Sequence, residues 1–238
     1  MQIVDLIIVI AVFSIVQSIF GVGLLLFGTP TLLLIGYSYS ETLWILLPCS
    51  VTISLIQTVD NYDLVMAKKK VAYFSIPIMT LSLIFVVSYD QVLDISKIVG
   101  FFLLFIGVVK FSPKLQTYLQ SLVEKRLQLY YVLIGFVHGV SNMGGGPLSI
   151  LMSTIYTDQV KIRANIAFVY LILALFQLIA LFIIDTGALQ NISVILMLTS
   201  LGVYLIANRY IANKINDKKY MWLINVLILT YGTLAIIK

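Results

Sequence analysis

Long apolar stretches separated by short polar punctuation dominate the chain. They run Ile3–Ile35, Thr42–Val59, Val71–Tyr89, Ile98–Val109, Leu127–Tyr156, Ala164–Ile184, Ile192–Ala207 and Met221–Ile237. A helix that crosses a bilayer needs roughly 20 residues, so most of these qualify, and Ile98–Val109 does so with its flanks. Lipid leaves exposed backbone polar groups without partners, which excludes open sheets and irregular segments at its surface. The pattern therefore predicts an all-α polytopic membrane protein. The opening "MQIVDLIIVI" has no basic segment before it and no small-residue cleavage site after it. It reads as a first helix rather than a removable signal peptide.

Two of the stretches are too long for one crossing and too short for two ordinary ones. Charge decides between the alternatives. If Ile3–Ile35 and Leu127–Tyr156 each crossed once, the 15 Lys and Arg would divide almost evenly between the two sides. If each folds back to the side it entered, all but Lys97 and Lys238 fall on one side. Asp5, Glu41, Asp90, Asp94 and Asp185 fall on the other. Cytoplasmic loops are enriched in Lys and Arg, so the fold-back arrangement is the one that obeys the rule. It puts both termini outside the cytoplasm. The net charge of +5 is then a matter of membrane topology and not of nucleic-acid binding.

Each half becomes a broken, re-entrant helical hairpin followed by three transmembrane helices. That count is odd, so the second half is inserted upside down relative to the first, an arrangement typical of secondary transporters. The predicted units are two inverted repeats, 1–112 and 128–238, joined by 113–127. A shift of 117 residues lays Pro30 on Pro147, Gly28 on Gly145, Tyr39 on Tyr156, Ser40 on Thr157 and Glu41 on Asp158. Between the halves, Leu115, Tyr118, Leu119 and Leu122 share one helical face, which predicts an amphipathic helix lying at the cytoplasmic interface.

Both long stretches contain helix breakers, "GVGLLLFGTP" at Gly21–Pro30 and "GVSNMGGGP" at Gly139–Pro147. Proline suits the first turn of a helix, so Pro30 and Pro147 are expected to start the second arm of each hairpin, with the preceding glycines forming the tip. A helix N-terminus carries unpaired N–H groups and partial positive charge, and glycine lets a ligand approach them. Two such ends brought together near the midplane would hold an anion. Gly28, Thr29, Pro30, Gly144, Gly145, Gly146 and Pro147 are the candidate tip residues. His138, the only histidine, and Ser141 and Asn142 sit beside the second tip. Gln57 and Asn165 are amides on crossing helices, and Gln177 reads as an interhelical hydrogen bond. Close helix packing is the competing explanation for the glycines.

No cofactor or metal site is expected, since the sole cysteine, Cys49, lies in an apolar segment. An intramembrane hydrolase is disfavoured. His138 and Ser141 are three residues apart, and the pattern G-x-S-x-G fails at Met143.

The stretches "GVGLLLFGTPTLLLIGYSYSE" (Gly21–Glu41) and "GFVHGVSNMGGGPLSILMSTIYTDQVKIRANIAF" (Gly135–Phe168) resemble the TauE/SafE (TSUP) family of bacterial and archaeal sulfite and sulfonate transporters. The second carries N-x-GGGP and a downstream R-A-N; the first has one glycine, Gly28, where the family often has a cluster. The resemblance implies a transporter in the cytoplasmic membrane of a prokaryote for sulfite, thiosulfate, a sulfonate or a related organic anion. It carries over to Asn142, Gly144, Gly145, Gly146, Pro147, Arg163 and Asn165. The expected partners are a small anionic substrate, lipid and a coupling ion, H+ or Na+. An anion channel of the same architecture is the alternative.

Overall fold

The computed structural model describes residues 3–66, 68–89, 92–184 and 191–210, together with 226 and 233. The expected last span, Met221–Ile237, lies outside these residues apart from Val226 and Thr233, both helical. Asp90, Asp185, Lys214, Lys218, Lys219 and Lys238 also lie outside them.

The described chain is helical throughout. In order come α1 (Ile3–Phe20), α2 (Leu24–Ile35), α3 (Tyr39–Asp60), a 3-10 turn at Tyr62–Leu64, and α4 (Lys68–Lys70), which runs through a π-turn at Val71–Ser75 into α5 (Ile76–Ser88). Then follow α6 (Ile95–Phe111), α7 (Pro113–Lys125), α8 (Leu127–Ser141), α9 (Gly145–Ile155), α10 (Gln159–Ile184) and α11 (Asn191–Tyr210). Five of the helical segments are long and apolar enough to cross a membrane, or six if the bent pair α6–α7 makes one span. The protein is a multi-pass membrane protein.

Both long stretches are broken. The second arms, α2 and α9, have 12 and 11 residues. At 1.5 Å per residue each reaches only about 17 Å, well short of the ~30 Å hydrocarbon layer. The chain doubles back at each break. A Cβ on Gly23 would stand 2.6 Å from the backbone nitrogen of Gln17, and one on Gly144 would stand 2.7 Å from Cβ of His138.

Local sequence explains the other boundaries. Ser38 accepts from the Glu41 N–H at 3.2 Å while the Glu41 carboxylate accepts from the Ser38 N–H at 2.9 Å, a reciprocal cap that starts α3. Asp158 starts α10 by accepting from the N–H groups of Val160 and Lys161. Between α6 and α7 the axis turns by 99° at Ser112, with Pro113 opening the new helix. Leu119, Leu122 and Val123 of α7 then pack on the core while Tyr118 stays exposed. Of the four residues expected on one face, Leu119 and Leu122 pack inward and Leu115 and Tyr118 stay exposed.

The helices pack in pairs that exchange with each other. α1 lies on α11 and α8 on α5; α3 lies on α11 and α10 on α5; α2 lies on α3 and α9 on α10. The pairs α3–α10 and α2–α9 map onto themselves. Swapping α1 with α8, α2 with α9, α3 with α10 and α5 with α11 thus returns these contacts, while the small α1–α3 contact has no counterpart of its size. Small residues allow the closest of these approaches. A Cβ on Gly135 would fall on the Ser75 carbonyl, and one on Gly139 on the Met79 carbonyl. These two glycines, four apart on α8, are a GxxxG pair seated on the π-turn and α5. The residues 121 positions earlier, Ser14 and Ser18, are the two serines of α1, and both are buried.

Candidate functional site

The two breaks share one backbone design. Gly21 has φ 70° and Asn142 φ 60°, the left-handed conformation that ends a helix. Gly21 N–H donates to the Gln17 carbonyl at 2.9 Å, and Asn142 N–H to the His138 carbonyl at 2.8 Å. After the turn, Phe27 N–H donates to Gly23 O and Leu148 N–H to Gly144 O, both at 2.9 Å. Each break also recruits a side chain from the helix before it. Gln17 Oε1 accepts from Leu24 N–H at 3.2 Å, and His138 Nδ1 accepts from Gly144 N–H at 3.3 Å. Each caps an N–H that the start of the second arm would otherwise leave unpaired.

These equivalences correct the register. They run at a shift of 121 residues, against the 117 that aligns the two prolines. Pro147 is the third residue of α9, in its first turn as expected. Pro30, by contrast, lies inside α2, with Gly28 and Thr29 also helical, so none of the three forms a tip. The first tip is Gly21–Gly23. The caps that follow, Ser38 and Asp158, lie 120 apart, one residue from this register and three from the other. The breaks also do not meet in one site. Gly21 lies against Arg163 and Gly145 against Tyr170. Those residues are seven apart on α10, which puts about 10 Å of helix between the two contacts.

The surroundings of the two breaks differ. Beside the first is a polar cavity of about 210 Å³, lined by Ser18, Gln57, Asp60, Asn61, Val160, Arg163, Ala164, Tyr204 and Asn208. That is several times the ~30 Å³ a water molecule takes up in the liquid. Arg163 is half-buried, a Cβ on Gly21 would meet its Cγ at 3.4 Å, and it forms no ion pair with a described residue. Gln57 is buried and its Oε1 has no hydrogen-bond partner; turning the amide over would present an N–H at that place. Ser54, one turn earlier on α3, accepts from Gln17 Nε2 at 3.4 Å.

The second break is sealed. His138, Ser141, Asn142 and Gln177 are each 0% exposed. The Asn142 amide donates to Thr29 Oγ1 at 3.0 Å, which ties the turn to the middle of α2. Tyr39 on α3 donates to the Gly139 carbonyl at 3.3 Å, and Tyr130 to the Pro147 carbonyl at 3.1 Å. The Tyr170 ring stands edge-on to the His138 ring with centroids 5.6 Å apart. Gln177 Nε2 reaches the His138 carbonyl at 3.5 Å, the interhelical contact expected of it. Four atoms in this group lack a partner: His138 Nε2, Asn142 Oδ1, Tyr170 Oη and Gln177 Oε1.

The three glycines of "MGGGP" are explained by what presses on them. A Cβ on Gly144 would strike His138, one on Gly145 the Tyr170 hydroxyl, and one on Gly146 the Ile106 side chain. Close packing therefore requires all three in this conformation, and the space in front of the α9 N-terminus is filled by the protein itself. Gly28 is likewise a packing residue, its Cβ position lying 2.9 Å from Leu46.

Of the other expected residues, Ser141 turns its hydroxyl to the Val137 carbonyl of its own helix. Asn165 uses its amide entirely on the loop between α3 and α4, accepting from Met66 N–H and donating to the carbonyls of Leu64 and Lys161. That is a staple, with no donor left over. Gln17, Tyr39, Tyr170, Tyr204 and Asn208 were not legible as site residues, because each is one polar residue in an apolar helix. Among the described residues no group of three metal-ligating side chains forms a metal site.

Comparison with known proteins agrees with the architecture. No curated protein and no solved structure matches the chain at a significant level. A family model does match, over residues 6–234 and hence both breaks, and by it the chain belongs to the sulfite exporter TauE/SafE family.

Proposed function

We propose that this protein is a secondary transporter that moves a small sulfur-containing oxyanion, of the sulfite, thiosulfate and sulfonate class, across the cytoplasmic membrane of a prokaryote. The observation that carries the reading is the inequality of the two breaks. One adjoins an open polar cavity lined by Arg163, which forms no ion pair with a described residue, and its counterpart has its polar side chains fully buried. A carrier needs such a pair, one side accessible while the other is shut. The exchange symmetry of the helix contacts supports two inverted repeats as the device that interconverts them.

The cavity gathers the end of α3, the start of α10 and the end of α11. Lys161, Arg163 and Arg209 lie on those same ends, so the positive-inside rule turns the cavity toward the cytoplasm. Arg163 attracts the anion, and the neutral donors Asn61, Tyr204 and Asn208 complete a polar lining without adding positive charge. Asp60 at the exposed rim limits the attraction, so a bound anion is also released. Residues of the second break, Asn142 and Gly144–Gly146, take their turn as the anion site when that half opens.

The test is solute counterflow in proteoliposomes. Labelled thiosulfate, sulfite or a sulfonate should accumulate transiently against an excess of the same unlabelled anion inside, and uptake should saturate. Absence of counterflow for every sulfur anion tried would remove this substrate class. Large unitary currents in planar bilayers would instead establish the anion-channel reading, which the sealed second break disfavours.

A further inference from the structure

The two breaks differ in one chemically decisive way. At the first, the side chain that caps the second arm is an amide, Gln17; at the same place in the second it is an imidazole, His138, 121 residues on. An amide oxygen accepts a hydrogen bond at any pH. The imidazole Nδ1 accepts only while it carries no proton, and then the ring's single N–H is on Nε2. The hydrogen-bond geometry fits that form. Nδ1 faces the Gly144 N–H at 3.3 Å, and neither Nε2 nor Gln177 Oε1 has a hydrogen-bond partner among the described residues.

Resting on the transport reading above, we propose that His138 is the proton-binding latch of the second break, and that the coupling ion is H+. Neutral His138 holds the Gly144 N–H and keeps the α9 start closed. A proton arriving from water binds Nδ1, which becomes a donor facing another donor, and the hydrogen bond to Gly144 breaks. No covalent bond changes other than the N–H formed; the proton is carried on the ring and leaves from the same nitrogen. The imidazolium then adds positive charge to the positive end of α9, which opposes closure until an anion balances it.

The environment suits a coupled step. The titratable groups facing His138 from packed elements are Tyr170 of α10, and Tyr39 of α3 one residue along at the Gly139 carbonyl. From α5 the neighbours at Gly139 are Met79, Ser82 and Leu83, and from α9 the glycines. None of these is a carboxylate, so among the described residues a proton on His138 meets no counter-charge, and an anion oxygen is the natural one. The released Gly144 N–H and the Asn142 amide are the donors that would meet it. Proton and anion thus enter this half together.

His138→Gln separates the latch from the charge, because it installs the group that already works at the first break. In lipid nanodiscs, hydrogen exchange of the segment 142–148 is compared at about pH 8 and pH 5, corrected for intrinsic exchange. Protection of the wild-type segment should fall at low pH by about tenfold, and His138→Gln should stay protected at both. Equal loss of protection in both proteins, or none in either, overturns the latch. In proteoliposomes with an internal pH dye, an inward thiosulfate gradient should drive proton uptake through the wild type. His138→Gln should carry thiosulfate by counterflow without it. Unchanged proton uptake by His138→Gln overturns the inference and leaves the transport reading intact. A pH-dependent latch with no transport of thiosulfate, sulfite or sulfonate would do the opposite, sinking the substrate reading and supporting the latch.

Discussion

The first and second breaks have the same turn and almost none of the same residues. From Ser14 to Gly28 against Gly135 to Ser149, only Val16 with Val137 and Gly23 with Gly144 are identical. Yet the left-handed residue, the reverse hydrogen bonds and the capping side chain fall at matching places, and only the capped N–H, Leu24 against Gly144, is one residue out of step. The backbone fold thus needs little: one residue that accepts positive φ, one glycine where the chain touches itself, and a polar side chain one turn earlier. What surrounds the turn is free to diverge. Leu24 and Leu25 follow Gly23 in the first break, where Gly145 and Gly146 follow Gly144 in the second, with Tyr170 and Ile106 standing against the latter pair.

The largest effect should come from forcing the second break to resemble the first at that point. Gly145→Leu puts a side chain where the Tyr170 hydroxyl lies and should lower stability by about 3 kcal/mol, read as a fall in thermal unfolding temperature in detergent. Adding Tyr170→Ser empties that space, and recovery of part of the loss would attribute the glycine to packing; no recovery would attribute it to the turn.

Gly139→Leu attacks the α8–α5 contact against the Met79 carbonyl and should cost about 2 kcal/mol, again by thermal unfolding. Ser18, its counterpart on α1, should tolerate alanine at a cost of under about 0.5 kcal/mol, since it remains small.

Arg163→Gln tests the open side. Affinity for the transported anion should fall about tenfold, near 1.4 kcal/mol, by equilibrium binding of labelled anion, while the unfolding temperature stays within a degree or two of the parent. A loss of stability matching the loss of binding would make Arg163 a helix anchor and not a ligand.

Gln17→Ala should give the smallest effect, about 1 kcal/mol for a lost helix cap. His138→Gln, which keeps an acceptor at the equivalent place, should cost less than that in the same unfolding assay. The reverse order would mean the two caps are not equivalent.

Much of the bundle is legible in the sequence, since apolar length and the positions of Lys and Arg fix where helices lie and where they end. α3, α5, α10 and α11 fall on the expected spans, and the interfacial helix α7 on its expected segment. The two hairpins are legible as broken because glycine and proline interrupt stretches too long for one crossing. The register of the repeat is not. Prolines and glycines align at 117, where identity is higher, but the turns align at 121, where likeness is chemical and spread over single residues. A glutamine and a histidine are recognisable as equivalents only once both are seen accepting from a backbone N–H.

The sequence by itself determined that this is a helical membrane protein with two breaks, because hydrophobic length and helix-breaking residues act locally. Only the tertiary structure decided what each break is for. Which side chain fills the space before a glycine depends on helices far along the chain, α10 for Gly21 and Gly145 and α6 for Gly146. That packing leaves one turn beside an open cavity with Arg163 and seals the other around His138.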